Sequence, residues 1–129
     1  MAKTRQASRA KAQHLHPYAW LWESLESEPS FLLKSMFGCR AIYLDGKIVL
    51  CFAAKSEPWR GILVPTDRER HASLIAEFPT LSPHPILPKW LYLRDAADDF
   101  EKTSQLLVKL VHARDPRIGV IPKLKKSKR

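Results

Sequence analysis

Histidine and cysteine are the side chains with which this chain could bind a metal ion or attack a substrate. None of the histidines stands at zinc-like spacing from a cysteine or a carboxylate, and the one close pair, at 14 and 16, adjoins a basic terminal segment. The sequence therefore predicts no metal site and no cofactor. The five histidines are His14, His16, His71, His84 and His112.

Nucleophilic catalysis needs a serine or cysteine activated by a histidine and an orienting acid. Cys39 and Cys51 lie within predicted strands, where a thiol is usually inert. The G-x-S-x-G motif is absent, and the four glycines form no phosphate-binding loop. Asp98, Asp99 and Glu101 match the dipole of a helix start rather than an acid–base pair. We therefore expect no catalytic residue and no enzymatic activity.

Aromatic side chains offer a different chemistry, the stacking of bases. Trp59, Trp90 and Tyr92, with Arg40 and Arg60 nearby, would bind single-stranded nucleic acid if they shared an exposed sheet face. The signature sequences of the common RNA-binding sheets are absent. The alternative is that these rings pack in the core.

The net charge of +9 is concentrated at the two ends of the chain. Residues 1–13 and 123–129 together hold nine of the 22 basic side chains and no acidic one. Residues 14–122 therefore hold 13 basic and 13 acidic side chains, and their net charge is zero. Such ends bind phosphate backbones without sequence preference, or are solvated tails. The candidate nucleic-acid-binding residues are Lys3, Arg5, Arg9, Lys11, Lys123, Lys125, Lys126, Lys128 and Arg129.

The stretch from Met36 to Phe52 predicts two antiparallel strands joined at Asp45-Gly46. Asp followed by Gly tolerates the positive φ angles of a type I′ turn. Both flanks are rich in β-branched and aromatic residues, as strands are.

Counting residues outward from this turn predicts where the two thiols lie. Cys39 falls opposite Phe52, and Cys51 falls opposite Arg40, so the thiols point to opposite faces of the ribbon. We therefore expect two buried cysteines without a disulfide, in a reducing compartment.

Hydrophobic periodicity and turn residues divide the rest of the body into further elements. Strands and helices do not alternate strictly, which predicts an α+β fold: a small antiparallel sheet with helices packed on it, in the order α-β-β-β-α-β-α. An edge segment or extended arm is expected at 117–121. The predicted helices cover about 18–27, 66–78 and 96–113, and the predicted strands about 34–44, 47–52, 59–64 and 89–93.

Local signals explain three of these boundaries. Thr66 and Glu69 have the form of a capping box, and Asp95 is the predicted N-cap of the last helix. The proline-rich stretch 79–88 predicts an ordered loop in which Leu81, Ile86 and Leu87 are buried, because apolar side chains favour burial. The alternative is a Pro-rich ligand for another protein.

The length of 129 residues fits one domain. We place it at 14–122, between a disordered basic tail at 1–13 and a second basic tail at 123–129. No apolar run approaches the ~20 residues of a membrane span, and the N-terminus lacks the apolar segment of a signal peptide. These features predict a cytoplasmic protein with no membrane partner.

The hairpin resembles a known family. Ser35-Met-Phe-Gly38, followed by Ile42-Tyr-Leu-Asp-Gly-Lys47, is similar to the N-terminal domain of TfoX, a bacterial competence regulator. Lys89-Trp-Leu-Tyr-Leu93 before a helix more distantly resembles the YjbR/MmcQ-like proteins. Both resemblances imply a bacterial α+β domain of the secretion-chaperone-like type, and neither transfers a catalytic residue. The proline-rich loop departs from the family pattern, and the second domain of full-length TfoX has no counterpart here.

These observations lead us to expect a non-enzymatic binding or regulatory module that acts by protein–protein interaction. Self-association through a sheet edge or an apolar helix face is one form of it. The alternative is an accessory nucleic-acid-binding protein that uses its basic tails. A third interpretation is a small enzyme or ligand binder that uses a pocket beside Cys39, Tyr43 and Trp59.

Overall fold

Six antiparallel strands form one sheet in the computed structural model, which describes residues 16–122. The order across the sheet is β1-β2-β3-β4-β6-β5. The strands are β1 (Leu32–Met36), β2 (Cys39–Leu44), β3 (Lys47–Ala54), β4 (Arg60–Val64), β5 (Ser82–Pro83) and β6 (Leu91–Arg94).

Three short helices accompany the sheet. They are α1 (Ala19–Trp22), continued by a 3-10 turn at Glu23–Leu25; α2 (His71–Glu77), preceded by a 3-10 turn at Arg68–Arg70; and α3 (Phe100–His112). The predicted α+β fold with an antiparallel sheet is confirmed, with two more strands than expected.

One extra strand comes from a second tight turn. Phe37 and Gly38 have φ angles of 55° and 74°, and Asp45 and Gly46 have 54° and 80°, so both pairs have the positive φ of a two-residue hairpin turn. The first predicted strand is therefore two strands, β1 and β2. The Phe37 backbone adopts a conformation that favours glycine, and it turns the phenyl ring outward at the sheet margin.

A β-bulge corrects the predicted register of the cysteines. Tyr43 pairs with Ile48 as expected, but Ile42 pairs with Leu50, which makes Val49 an extra residue in β3. Cys51 therefore lies opposite Ala41, and both thiols belong to the same buried cluster on one face. The prediction of opposite faces was wrong, because one inserted residue moves every following side chain of the strand to the other face of the sheet. Both thiols are free and buried, as expected.

All three helices pack on one face of the sheet, which we call the helix face. Its core includes Trp22 from α1, Leu74 from α2, Leu107 from α3 and Phe52 from β3, all fully buried. The Trp22 and Phe52 rings lie 5.1 Å apart, centroid to centroid. This core contains most of the buried apolar side chains of the described chain and is the main source of its stability.

The opposite face, which we call the open face, carries a smaller cluster without a helix over it. Cys39, Cys51, Leu63 and Tyr92 are buried there. Partly buried side chains from the loop between β5 and β6 and from the segment after α3 pack against them, among them Trp90 and Val120. That last segment was expected as an edge segment or an extended arm, and Val120 pairs with Ile48 through two backbone hydrogen bonds of 2.9 and 3.1 Å.

Two predicted helix caps were wrong. The hydroxyl of Thr66 donates to the carbonyl of Arg117, and Asp67 occupies the N-cap position without a side-chain cap. Asp95 accepts hydrogen bonds from Tyr18 and Arg60 rather than capping α3. In both cases the side chain that the local pattern predicts as a helix cap instead forms a hydrogen bond with a residue distant in the sequence.

The proline-rich stretch contains the short edge strand β5 and a buried histidine. Leu81 is buried as expected and Leu87 is partly buried, whereas Ile86 is 58% exposed. Pro83 lies in the edge strand, where a missing N–H is tolerated. The expectation of an ordered loop therefore agrees with the structure, except at Ile86.

Candidate functional site

An apolar groove crosses the open face of the sheet. Its volume is about 380 Å³, at the lower end of the ~300–1,000 Å³ typical of ligand pockets. The groove is defined by the residues that line it, which are Met36, Phe37, Ile48, Thr66, Asp67, Lys89, Trp90, Val120, Ile121 and Pro122.

Two large apolar side chains of the groove extend into solvent. Phe37 is 52% exposed and Ile121 is 73% exposed. Phe37 stands on the tight turn between β1 and β2, and Ile121 follows the residue that pairs with Ile48. Large apolar side chains exposed beside an apolar groove are typical of a surface that binds a partner.

The Phe37 ring is supported by aromatic contacts. Its centroid lies 6.0 Å from that of Trp59 and 6.4 Å from that of Trp90, the latter nearly edge to face. Lys55 approaches from the side, with Nζ 3.4 Å from the Phe37 carbonyl oxygen. These contacts support one wall of the groove while leaving half of the phenyl ring open.

His84 holds the loop that carries Trp90. Its Nδ1 accepts hydrogen bonds of 3.1 Å from the N–H groups of Ile86 and Leu87, so Nε2 carries the hydrogen, which it donates to the Pro58 carbonyl at 2.7 Å. The side chain is 1% exposed. Every polar atom of this buried imidazole is therefore used in fixing the loop.

The His84 ring also lies between two aromatic rings. Its centroid is 4.5 Å from that of Trp59 and 5.0 Å from that of Tyr92. The Tyr92 hydroxyl accepts from the Arg60 N–H at 2.7 Å and donates to a Glu57 oxygen at 2.8 Å. Burial raises the pKa of Tyr92, and the Glu57 carboxylate adds to the rise. This arrangement positions side chains and leaves His84 no free nitrogen for catalysis.

Basic side chains surround the groove. Two shallow depressions continue it, one sharing Lys89 and Trp90 with it and the other sharing Asp67 and Ile121. Asp67 is the one carboxylate among the residues that line these three surfaces. The cations lining them or beside Phe37 are Lys47, Lys55, Arg68, Arg70 and Lys89.

A second cluster, at the C-terminal end of α3, has the hydrogen-bond order of a catalytic triad. The Ser24 hydroxyl lies 3.1 Å from Nε2 of His112, and Nδ1 of His112 lies 3.1 Å from a Glu28 oxygen. Serine hydrolases arrange nucleophile, base and acid in this order. They also need N–H donors for the developing oxyanion. Ser24 lies inside the 3-10 turn Glu23–Leu25, and the nearby amides of Glu23 and Glu26 are engaged in helical hydrogen bonds.

The same cluster is an ion-pair network. Arg114 donates to Glu28 at 2.8 Å and to Asp45 at 2.7 Å. It holds the pKa of both carboxyl groups below their usual values, with smaller contributions from His112 at Glu28 and from Ser30 at Asp45. The network joins the end of α3 to the Asp45-Gly46 turn and to the segment after α1, which is a structural role.

The rings of the predicted stacking set share the open face, but the two arginines do not lie there with them. Tyr92 is buried in that face, and Trp59 and Trp90 pack against the same cluster. Arg40 pairs in register with Phe52 of the helix-face core, and Arg60 is bound to Asp95, which also accepts from Tyr18 of that core. The sequence-based alternative, that these rings pack in a core, describes them better.

The side chains of the predicted ligand pocket beside Cys39 are engaged in packing contacts. Cys39 is 2% exposed, Lys34 lies over the Tyr43 ring at 4.9 Å, and Trp59 packs against His84. Within residues 16–122, no three His, Cys, Asp or Glu side chains converge as a metal site would require. The nine basic candidates for nucleic-acid binding all lie outside the described residues.

Sequence reasoning missed the groove. Gly38 was the available signal, because a glycine in that position indicates a turn that would present Phe37 at the surface. Ile121 carried no such signal, since its exposure depends on how the segment after α3 lies on the sheet.

Comparisons of the chain with protein-family models, curated proteins and solved structures gave no match. Among residues 16–122, no helix has both the length and the apolar character to cross a membrane.

Proposed function

We propose that this domain is a non-enzymatic binding or regulatory module that acts by protein–protein interaction through the groove. The observation that carries the proposal is the pair of exposed apolar side chains, Phe37 and Ile121, beside an apolar groove on a sheet face without a helix. The sequence resemblance to the TfoX N-terminal domain, a regulatory module, points in the same direction.

The energetics support a contact of useful strength. Full burial of a Phe or Ile side chain is worth about 1.5–3 kcal/mol, so covering the exposed parts of two such residues contributes a few kcal/mol in total. Aromatic side chains such as Phe are enriched in the cores of protein interfaces. A partner that buries both would lose much of its affinity when either is truncated.

Photo-crosslinking tests the proposal directly. A photoreactive phenylalanine analogue at position 37 should capture a discrete protein from source cells, and capture should be lost when Ile121→Asp is added. The same analogue at Trp20, which is 44% exposed and follows Ala19 of the helix-face core, is the matched control. No adduct from position 37, or identical adducts from both positions, would overturn the proposal.

A second candidate function, accessory nucleic-acid binding, is supported by the charge distribution. Residues 14–122 carry balanced charges, so the whole net charge of +9 comes from the ends. We propose that these ends add weak, salt-sensitive affinity for phosphate backbones.

Fluorescence anisotropy with short duplex and single-stranded DNA at two salt concentrations tests this second function. The full chain should bind at low salt and lose binding at high salt. A full-length variant in which glutamine replaces the nine terminal basic residues should not bind. Equal binding by the neutralised variant would rule out the tail mechanism.

A further inference from the structure

We infer that the partner segment for this groove is acidic and amphipathic: apolar side chains that enter the groove, flanked by carboxylates that meet its basic rim. The inference rests on the proposed protein-binding function and adds the chemistry of the partner. It is carried by the distribution of paired and unpaired charges on the described surface.

Within the part of the chain that the structure describes, the cations around the groove make no direct ion pair. Among residues 16–122, none of Lys47, Lys55, Arg68, Arg70 and Lys89 takes part in an ion pair. All except the partly buried Arg70 are exposed. Asp67 is the one carboxylate that lines the groove and its two extensions.

Elsewhere in the described chain four of the five arginines are paired, and the fifth, Arg40, donates to the Ser35 hydroxyl instead. Arg60 bonds to Asp95 at 3.1 Å and Arg94 to Glu57 at 3.2 Å. Arg114 holds two carboxylates, and so does Arg117.

Although residues 14–122 are neutral in sum, five of the nine described Lys and Arg side chains that form no ion pair lie around the apolar groove. The other four are Lys34, Arg40, Lys102 and Lys109. A basic rim around an apolar groove attracts an acidic partner and repels a basic one.

A second copy of this chain fits the groove poorly. In a two-fold symmetric contact the same patch meets itself, so the basic rims of both copies would face each other across the interface. Like charges placed together in this way are unfavourable. The expected partner is therefore a different protein.

Single-stranded nucleic acid would meet the same positive charge but fits the groove walls less well. Bases need exposed aromatic faces on which to stack. The walls here are largely aliphatic, with Met36, Ile48 and Ile121 among them, and of the two lining rings only Phe37 is largely exposed. Aliphatic walls instead suit the apolar side chains of an amphipathic segment.

A labelled peptide pair tests the charge requirement on the full chain. The first peptide has leucines at i, i+3, i+4 and i+7 and glutamates between them, and the second has lysines in place of the glutamates. We expect the acidic peptide to bind at least tenfold more tightly, with binding weakened by salt. Equal binding of the two peptides, or tighter binding of oligo-dT than of the acidic peptide, would overturn the inference.

Charge reversal locates the effect. The double substitution Arg68→Glu with Lys89→Glu should weaken binding of the acidic peptide at least tenfold, whereas Lys102→Glu on α3 should leave it within twofold. A variant with the five basic residues of 123–129 changed to glutamine measures the share contributed by the tail, which follows Pro122 in sequence. If tail neutralisation abolishes binding while the double substitution has no effect, the groove rim is not the acceptor.

The cross-linking from position 37 separates this inference from the function on which it rests. Sequencing the captured partner segment should give a net negative charge with apolar residues at helical or alternating spacing. A captured segment without net negative charge overturns the inference and leaves the protein-binding function standing. No captured protein, together with no binding of either peptide, overturns both.

Discussion

Cys39 and Cys51 lie on the same face of the sheet, both buried and both in the thiol form. The extra residue Val49 brings them to one face, since without the bulge they would point to opposite sides. Burial raises the pKa of both thiols, and the neighbouring Cys39 adds to the rise at Cys51.

Thiol reactivity follows from that burial. Because the thiolate is the reactive form, a raised pKa and a closed environment both slow its chemistry. We expect the native protein to react with a disulfide reagent at pH 8 at least a hundredfold more slowly than the denatured chain. A native Cys39 or Cys51 that reacts as fast as a free thiol would show that the open face is not packed as described.

His84 should be important for stability and for the groove. Replacing it with alanine leaves the N–H groups of Ile86 and Leu87 and the Pro58 carbonyl without their partner. An unsatisfied polar group costs about 1–3 kcal/mol when it is buried, and these groups are partly buried. We therefore expect a total loss of about 1–3 kcal/mol in chemical denaturation, and weaker partner binding through a displaced Trp90.

A histidine nearby provides the control for that substitution. His71 makes one hydrogen bond, to the Lys89 carbonyl, in an exposed setting. Its replacement by alanine should cost much less than that of His84. Equal effects would mean that the two-sided bonding of His84 does not hold the loop.

Arg114 should make stability depend on pH in the acid range. It lowers the pKa of Glu28 below 4.5 and that of Asp45 below 3.8. A carboxyl group whose pKa is lower folded than unfolded stabilises the fold above its unfolded pKa, and this stabilisation is lost as pH falls through the folded value. The stability difference between wild type and Arg114→Gln should therefore be constant near pH 6–7 and shrink below about pH 4.5.

Urea denaturation across that pH range is the measurement. Arg114→Lys keeps the positive charge but loses the two-pronged guanidinium geometry, so it should recover part of the difference at neutral pH. A difference that stays constant down to pH 3 would show that the ion pairs to Glu28 and Asp45 contribute nothing measurable.

Ser24 should behave as an ordinary hydroxyl despite its bond to His112. The amides of Glu23 and Glu26 beside it are used in helical hydrogen bonds, so these two are not available to stabilise an oxyanion. We expect no adduct at Ser24 after incubation with a fluorophosphonate, as judged by intact mass and peptide mapping. An adduct absent from Ser24→Ala and from His112→Gln, but retained in Ser27→Ala, would contradict the proposed non-enzymatic role.

The sequence by itself determined the features that depend on neighbouring residues. The Asp45-Gly46 turn needs positive φ at two adjacent positions, and the α3 stripe of buried residues such as Leu107 and Val111 follows helical spacing. Together with the lack of strict alternation between strands and helices, these local signals gave the α+β class and the antiparallel sheet.

The tertiary structure alone decided the groove and the positions of the thiols. Val120 pairs with Ile48, and the Thr66 hydroxyl donates to the Arg117 carbonyl, so both contacts join segments that are distant in the chain. The bulge at Val49 changes the pairing of two neighbouring strands. No local pattern specifies such partners, because each depends on which atoms the whole fold brings within hydrogen-bonding distance. Phe37 and Ile121 form one surface for the same reason.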